Sequence, residues 1–218
     1  MSQSPGRPSG SSDARDRLIS SARQLFSERG FQSVSTREIA RDAKVDAALI
    51  RYYFGGKAGL FEQMVRETLA PVLAHFRAAS AQGASENLSS LMQTYYSAVG
   101  AHPGLPKLVF RVLHDGVGSE PYRILLSVFG EIILMSRRWL SEALVNSGNL
   151  RQGVDPDLAR LSFVSLMVFP LLAPPVLVRQ FGVEVSAKGL SALIPHHLDV
   201  IQHGLLQAEG GSTQETGE

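Results

Sequence analysis

Apolar residues recur every three to four positions along almost the whole chain, and no segment alternates convincingly between apolar and polar side chains. That spacing is typical of amphipathic α-helices, whereas β-strands would show a period of two. The pattern predicts an all-α protein of about nine helices, the first three of them short. The breaks between helices are expected near residues 82–85, 100–104, 115–121, 146–156 and around Gly182.

The first two helices carry recognisable end signals. Asp13 can cap the start of the first helix, and Gly30 is placed to end it. Ser35 can cap the second helix, and Glu38 stands three residues later, which is the spacing of a capping box. The second helix is therefore predicted from Ser35 to about Asp42.

The third helix follows a turn at residues 43–45, begins at Asp46 as its N-cap and stops at the glycine pair 55–56. On a helical wheel its inner side holds Leu49, Ile50 and Phe54. Its outer side holds Ala47, Ala48, Arg51 and Tyr52. Small residues beside one cation and one phenol leave room for another surface to approach closely, so this face is expected to dock onto a partner.

Longer apolar helices fill the rest of the chain. The fourth starts at Lys57 and contains Pro71, which removes one backbone hydrogen bond and favours a kink. The last two long helices are predicted at residues 157–181 and 186–206. The uncharged run 161–178 has borderline membrane-spanning length, but it contains three prolines, so it is interpreted as a buried, broken helix.

Composition alone indicates an ordinary globular protein, with 44% hydrophobic and 19% charged residues among 218. The net charge of +1 hides an asymmetry. Residues 1–57 carry ten Lys or Arg against six Asp or Glu, whereas the remainder carries eleven against fourteen. The basic excess lies in the segment that holds the docking face, which fits a polyanionic partner.

The two ends of the chain are rich in small and polar residues. Residues 1–12 and 209–218 are predicted to be disordered tails, and the first of them lacks the apolar core of a secretory signal. The sequence contains no cysteine, which is compatible with the reducing cytoplasm. A cytoplasmic protein without a membrane segment is expected.

Two short helices joined by a turn of about three residues match a helix-turn-helix. The second helix of such a pair enters the major groove of DNA, where its outward side chains contact base edges. Lys57 stands at the start of the fourth helix, where free backbone N–H groups also attract a phosphate. The sequence therefore predicts double-stranded DNA as a partner and residues 13–57 as a DNA-binding domain.

The same residues resemble the DNA-binding domain of the TetR family of transcriptional regulators, over residues 15–61 without a gap. Three motifs carry the resemblance: Ala22 with Leu25, Phe26, Gly30 and Phe31; Thr36 with Ile39 and Ala40; and Tyr53 with Phe54, Lys57 and Leu60. The resemblance implies an all-α homodimer that pairs through the last two helices of each subunit and binds a palindromic or pseudopalindromic operator. It also implies that residues 58–208 form a ligand-binding and dimerisation domain, whose unidentified small effector releases the DNA.

Matching positions assign a DNA contact to each of nine residues: Thr36, Arg37, Lys44, Ala47, Ala48, Arg51, Tyr52, Tyr53 and Lys57. Thr36 and Lys57 correspond to phosphate-binding positions, and Arg37 and Arg51 to positions that reach bases. Tyr53 stands where the family often has His, and packing and phosphate contact are equally good interpretations of it. Lys44 replaces the usual turn glycine, so a left-handed backbone there would be strained, although the lysine adds a charge beside the duplex.

A ligand pocket in the later helices would use their larger side chains. The candidates are Tyr95, Phe110, Arg111, His114, Phe129, Trp139, Phe163 and Met167. Plain core packing is the alternative for each of them, and a constitutive DNA-binding protein without a ligand is the alternative for the whole chain. Repression and activation are both open. Catalytic and metal-binding motifs are lacking, so neither an enzyme nor a cofactor is expected.

Overall fold

The computed structural model describes residues 9–78, 84–141 and 150–206. Within these ranges the chain forms ten helices: α1 (Ser9–Arg29), α2 (Thr36–Asp42), α3 (Ala48–Phe54), α4 (Lys57–Ala78), α5 (Ala84–Gly100), α6 (Gly104–Asp115), α7 (Glu120–Leu140), α8 (Pro156–Leu172), α9 (Pro175–Gln180) and α10 (Ala187–Leu205). The described residues contain no strand, only one isolated antiparallel bridge between Leu150 and Leu206. The predicted all-α class is confirmed.

The first helix starts earlier than the sequence suggested. It begins at Ser9, so Asp13 lies inside it and cannot be its N-cap. The Asp13 carboxylate instead pairs with Arg17 one turn later, at 3.2 Å. This i, i+4 pair satisfies the charge without a cap. The boundary predicted at residue 12 for the leading tail is therefore wrong, while residues 1–8 and 209–218 of the predicted tails lie outside the described residues.

The helix predicted at residues 157–181 is two helices in the structure. α8 ends at Leu172, its C-cap Ala173 has an extended backbone (φ −61°, ψ 143°), and Pro175 opens α9. A residue that precedes proline avoids the helical region, which is the position of Ala173 before Pro174. Pro170, by contrast, is accommodated inside α8. This break raises the described helices from the predicted nine to ten.

The chain divides into two compact units, and the first comprises the residues up to Thr68 together with Gly104–Phe129. Within it α1 packs against α2, α3 and α6. Three buried rings, those of Phe26, Phe31 and Phe61, lie with centroids 5.1 to 5.7 Å apart. Aromatic pairs in such tilted or edge arrangements contribute about 0.5–1.5 kcal/mol each beyond simple burial. This cluster holds the α1–α2 turn against the start of α4.

The second unit comprises Leu69–Pro103 and the residues from Gly130 onward. In it α5 packs along α10, and α8 also contacts α10. Trp139 of α7 is buried against His75 and Phe76 of α4. The packing of the helices thus groups α6 and the first half of α7 with the helix-turn-helix. The sequence had instead suggested a domain boundary at residues 57–58.

Candidate nucleic-acid interface

The start of α2 is held by the predicted capping box. The backbone N–H of Glu38 donates to Ser35 Oγ at 3.2 Å, and the backbone N–H of Ser35 donates to Glu38 Oε2 at 2.8 Å. Arg29 adds an ion pair to Glu38 Oε1 at 2.9 Å. The Ser35 backbone and hydroxyl hydrogen bonds, with Arg29 beside them, lower the pKa of Glu38 to about 2. The N-terminus of α2 is therefore tied to the end of α1.

The turn between α2 and α3 has the strained geometry expected of its sequence. Lys44 has φ of 55°, the left-handed region that ordinarily favours glycine. The turn is closed by the backbone N–H of Val45, which donates to Ala40 O at 3.0 Å. Arg17 of α1 donates to Ala43 O at 3.2 Å. These bonds hold a backbone conformation that costs a non-glycine residue about 1–2 kcal/mol.

α3 ends as predicted, but its N-cap is Ala47 rather than the predicted Asp46. The Asp46 carboxylate accepts the backbone N–H of Ala48 at 2.7 Å, while the helix itself begins at Ala48 and Ala47 occupies the boundary position. At the other end Gly55, with φ of 73°, donates to Arg51 O at 3.0 Å. Both signals are local, so a short helix of seven residues is fixed at each end.

The two faces of α3 separate as the helical wheel predicted. Ile50 is buried with 1% of its surface exposed, and Leu49 and Phe54 are half-buried. The outward residues Ala47, Ala48, Arg51 and Tyr52 are all exposed, Tyr52 by 78%. This side of α3 presents an exposed phenol, an exposed guanidinium and two methyl groups. A base edge and a sugar-phosphate backbone can dock onto such a surface.

The remaining predicted contact residues differ in how open they are. Arg37 and Lys44 are exposed, and Thr36 is half-buried at the first position of α2. The ring of Tyr53 is half-buried, with its centroid 4.9 Å from that of Tyr52. Tyr53 is thus partly packed against its neighbours and partly exposed.

Lys57 is less open than a free surface lysine. Its ammonium lies 4.4 Å from the centroid of the Phe31 ring, an attractive cation–π distance. Burial lowers the pKa of Lys57, while the carboxylates of Glu120 and Glu38 act in the opposite direction. The ammonium is held at the first residue of α4, beside the N–H groups that the helix leaves unpaired there.

Three contacts that shape this surface were not anticipated from the sequence. They are the Arg29–Glu38 ion pair, the position of Lys57 over Phe31, and the guanidinium of Arg15 at 5.6 Å from the centroid of the Phe54 ring. Two of them join residues of different helices, and the contact of Lys57 with Phe31 joins α4 to the α1–α2 turn. Helical periodicity marks the inner and outer side of one helix, but it does not identify which neighbour a side chain meets.

Comparison with known proteins places this surface in a family. The family model described as bacterial regulatory proteins, tetR family, matches residues 18–64. The probable HTH-type transcriptional regulator YttP of Bacillus subtilis (strain 168) is 31% identical over 170 residues, covering 73% of this chain and 78% of YttP. The chain belongs to the TetR family. It is therefore a DNA-binding transcriptional regulator with a helix-turn-helix.

Two further TetR-like comparisons extend over most of the chain. The HTH-type transcriptional repressor KstR2 of Rhodococcus jostii (strain RHA1) is 26% identical over 155 residues, covering 69% of this chain and 74% of KstR2. The transcriptional regulator FadR from Bacillus subtilis, solved in complex with stearoyl-CoA, has a TM-score of 0.67 at 18% identity. That likeness covers 87% of this chain and 98% of FadR, and it shows a shared fold.

The candidate pocket residues of this TetR-family protein fall into both compact units. Phe110, Arg111, His114 and Phe129 belong to the first unit. Phe110 is 57% exposed, and its ring stacks on that of His114 at 5.8 Å. Tyr95, Trp139, Phe163 and Met167 belong to the second. The eight residues therefore do not come together within one compact unit, because α6 packs on α1.

In the second unit the candidate residues lie mostly in the interior. Trp139, Phe163 and Met167 are buried, and burial raises the pKa of Tyr95. Burial also raises the pKa of the neighbouring Tyr96 to about 12, so both phenols stay protonated donors at neutral pH. An open groove of about 540 Å³ lies between α5 and α10, and its walls include Ser89, Gln93, Tyr96, Ser97, Ser191 and Leu198. None of the predicted pocket residues lines this groove.

Other binding modes find little support in the described part of the chain. Among the described residues, no three His, Asp or Glu side chains lie close enough together to hold a metal ion. Across 9–78, 84–141 and 150–206, none of the helices has both the length and the apolar character that a membrane crossing requires.

Proposed function

We propose that this TetR-family regulator is a dimeric repressor that a small apolar or amphipathic ligand releases from its operator. The observation that carries the DNA part is the exposed face of α3, with Arg51 and Tyr52 beside Ala47 and Ala48. In the proposed complex α3 lies in the major groove, and the two alanines let its backbone approach the bases.

Base reading and backbone gripping fall to different residues in this proposal. Arg51, with Arg37, contacts base edges, since guanidinium groups form paired hydrogen bonds with guanine. Contacts to phosphates fix the register of α3 on the duplex, and they fall to five other residues: Thr36, Lys44, Tyr52, Tyr53 and Lys57. The exposure of Arg37, Lys44 and Arg51 supports these assignments.

Dimerisation is proposed through α8 and α10. One side of α8 is buried in its own unit and carries four apolar residues: Ala159, Phe163, Met167 and Leu171. The opposite side exposes four more apolar residues: Leu158, Leu161, Val164 and Phe169. An exposed apolar side of this kind favours a partner that covers it. A second copy of α8 would cover it, and the resulting dimer would present two α3 helices to an operator whose half-sites lie about one DNA turn, roughly 34 Å, apart.

Ligand-controlled release is supported by an unmet donor in the second unit. Trp139 is 4% exposed, and its indole Nε1 has no acceptor among the described residues. A buried N–H without a partner costs about 1–3 kcal/mol, which an acceptor on a bound ligand would offset. The stearoyl-CoA bound to FadR gives one example of an amphipathic ligand on this fold. α4 is continuous from Lys57 to Ala78 and is the proposed link to the DNA contact.

Constitutive DNA binding is the second candidate. It is favoured by the burial of Phe163 and Met167, which is what ordinary core packing would give. On this alternative no small molecule changes operator affinity.

The experiment is selection of bound duplexes from a random pool, followed by a ligand screen on the selected operator. Two related half-sites should emerge with their centres about one helical turn apart. A compound that raises the melting temperature of the free protein should then dissociate the complex, because a ligand that weakens DNA affinity must bind the free form more tightly by the same factor. Enrichment of no sequence would contradict the DNA model, and a selected operator without any releasing compound would favour the constitutive alternative.

A further inference from the structure

A second cavity lies entirely within the first compact unit. It measures about 400 Å³ and opens between the α1–α2 turn and the α6–α7 turn. Small-molecule sites in proteins occupy roughly 300–1,000 Å³. Its walls include Arg29, Phe31, Arg111, Asp115, Val117 and Pro121. It is distinct from the ligand site of the proposed function, which concerns Trp139 in the other unit.

Two opposite charges line this cavity without meeting each other. Arg111 and Asp115 stand one helical turn apart on α6, yet neither forms a hydrogen bond or ion pair with any described residue. The Arg111 guanidinium lies instead against the end of α1, where a Cβ placed on Gly30 would be 3.5 Å from Arg111 Cζ. Arg29 is already paired with Glu38, so among the described residues the cavity offers one unpaired, exposed cation and one unpaired, exposed anion, each with donors or acceptors to spare.

The end of α6 reinforces the negative side of this cavity. α1 ends at Arg29 and α6 ends at Asp115, and both residues line the cavity. Carbonyl groups at a helix C-terminus carry partial negative charge and favour a cation nearby. An ammonium is therefore favoured beside Asp115 at the end of α6, whereas a carboxylate is favoured at the Arg111 guanidinium. Phe31, Val117 and Pro121 supply an apolar wall.

We propose that this cavity binds a zwitterionic amino acid with an apolar side chain. Its carboxylate pairs with Arg111, its ammonium with Asp115, and its side chain lies against Val117 and Pro121. A simple carboxylic acid would leave Asp115 without a partner, and a simple amine would leave Arg111 without one. Only a ligand with both charges complements the cavity.

The cavity is adjacent to two residues that position the DNA-binding elements. Phe31 forms part of its wall and holds the Lys57 ammonium at 4.4 Å. Arg29 also forms part of the wall and pairs with Glu38 of the α2 capping box. An amino acid bound here would lie beside both residues and so next to the DNA-binding elements.

The proposal is tested by calorimetric titration of the full-length protein with three probes that share one ring. They are L-phenylalanine, 3-phenylpropanoate, which lacks the ammonium, and 2-phenylethylamine, which lacks the carboxylate. L-Phenylalanine should bind saturably, and each analogue should bind about tenfold more weakly, since each loses one charge-assisted contact.

Four variants test whether the probes bind in this cavity. Arg111→Gln should weaken both L-phenylalanine and 3-phenylpropanoate by about tenfold, while Asp115→Asn should weaken both L-phenylalanine and 2-phenylethylamine by about tenfold. Val117→Trp fills the cavity from an exposed position and should block all three probes with both charges intact. Lys107→Gln, at an exposed lysine of the same helix that does not line the cavity, should change nothing. Circular dichroism verifies that each variant is folded.

Three results would overturn the proposal. They are the absence of saturable L-phenylalanine binding up to its solubility, equal affinity for L-phenylalanine and either analogue, and unchanged affinity in Arg111→Gln and Val117→Trp. The titration uses free protein without DNA, so it succeeds or fails independently of operator binding and of the ligand proposed for the second unit.

Discussion

The ammonium of Lys57 lies 4.4 Å from the centre of the Phe31 ring. Phe31 is in turn buried against Phe26 and Phe61, so the surface beneath the ammonium belongs to the core. The lysine side chain is consequently ordered before any partner arrives. A group that is already ordered loses less conformational entropy on binding, which favours its proposed contact with a phosphate.

We expect Lys57→Ala to weaken binding to every duplex by a similar factor. One phosphate contact fewer should reduce the slope of log affinity against log salt concentration by about 0.9. Lys107→Ala removes an exposed charge from α6 instead and should leave the slope unchanged. Fluorescence anisotropy over a series of salt concentrations makes the comparison, and equal slopes for both variants would exclude the phosphate contact.

Strain at Lys44 predicts opposite effects on stability and on DNA affinity. Lys44→Gly relieves the cost of φ at 55° but increases the entropy of the unfolded chain, so the free energy of unfolding should rise by about 0.5–1 kcal/mol. Lys44→Ala removes the same charge and retains the strain. Both variants should bind DNA more weakly, and only the glycine variant should be more stable in urea. A stability gain in the alanine variant would contradict this account.

His197 predicts that stability declines in mild acid. Burial, and then the neighbouring His196, lower the pKa of His197 below its ordinary value of 6.5. Its contribution to folding is therefore fully present above 6.5 and is lost as the pH falls from there through the folded-state pKa, because the unfolded chain binds the proton more readily. The Tyr96 hydroxyl lies 3.5 Å from His197 Nδ1 and is the nearest polar partner.

Replacing His197 with glutamine, which stays neutral, should flatten this dependence. Urea unfolding of wild type and His197→Gln between about pH 8 and pH 5 measures the difference. The control His203→Gln changes an exposed histidine that pairs with Asp199, and it should keep the wild-type profile. Identical pH profiles for wild type and His197→Gln would show that another group is responsible.

The exposed apolar side of α8 predicts the oligomeric state. Leu161→Glu places a charge on that side and should convert a dimer into a folded monomer in sedimentation velocity. Ile133→Glu makes the same change at a comparably exposed position on α7 and should leave the dimer intact. A dimer that survives Leu161→Glu would move the interface away from α8.

Local signals explain which parts of the structure the sequence could predict. Three such features involve residues at most a few positions apart: the Ser35–Glu38 box, the hydrogen bond between Asp46 and Ala48, and the glycine that ends α3. Propensity and capping rules act over such distances, so these features could be derived from residue order alone.

Contacts between distant helices could not be derived in the same way. Apolar spacing identified α6 as a helix but not its packing against α1, so Phe110 and Arg111 were assigned to a pocket with residues of the other unit. The helix break shows a similar limit, since Pro170 continues α8 while Pro174 and Pro175 end it. Which proline interrupts a helix depends on the packing around it.

Recognition of bases by α3 is the central claim, and Arg51→Ala tests it most directly. Ala47 and Ala48 have no hydrogen-bonding side chains, so Arg51 should account for most of the discrimination on this face. Affinities for the selected operator and for single-base variants are measured with wild type, Arg51→Ala and Lys57→Ala. Wild type and Lys57→Ala should share a preference of about 1–3 kcal/mol at one position per half-site, and Arg51→Ala should lose it. An unchanged preference in Arg51→Ala would contradict the docking of α3 in the major groove.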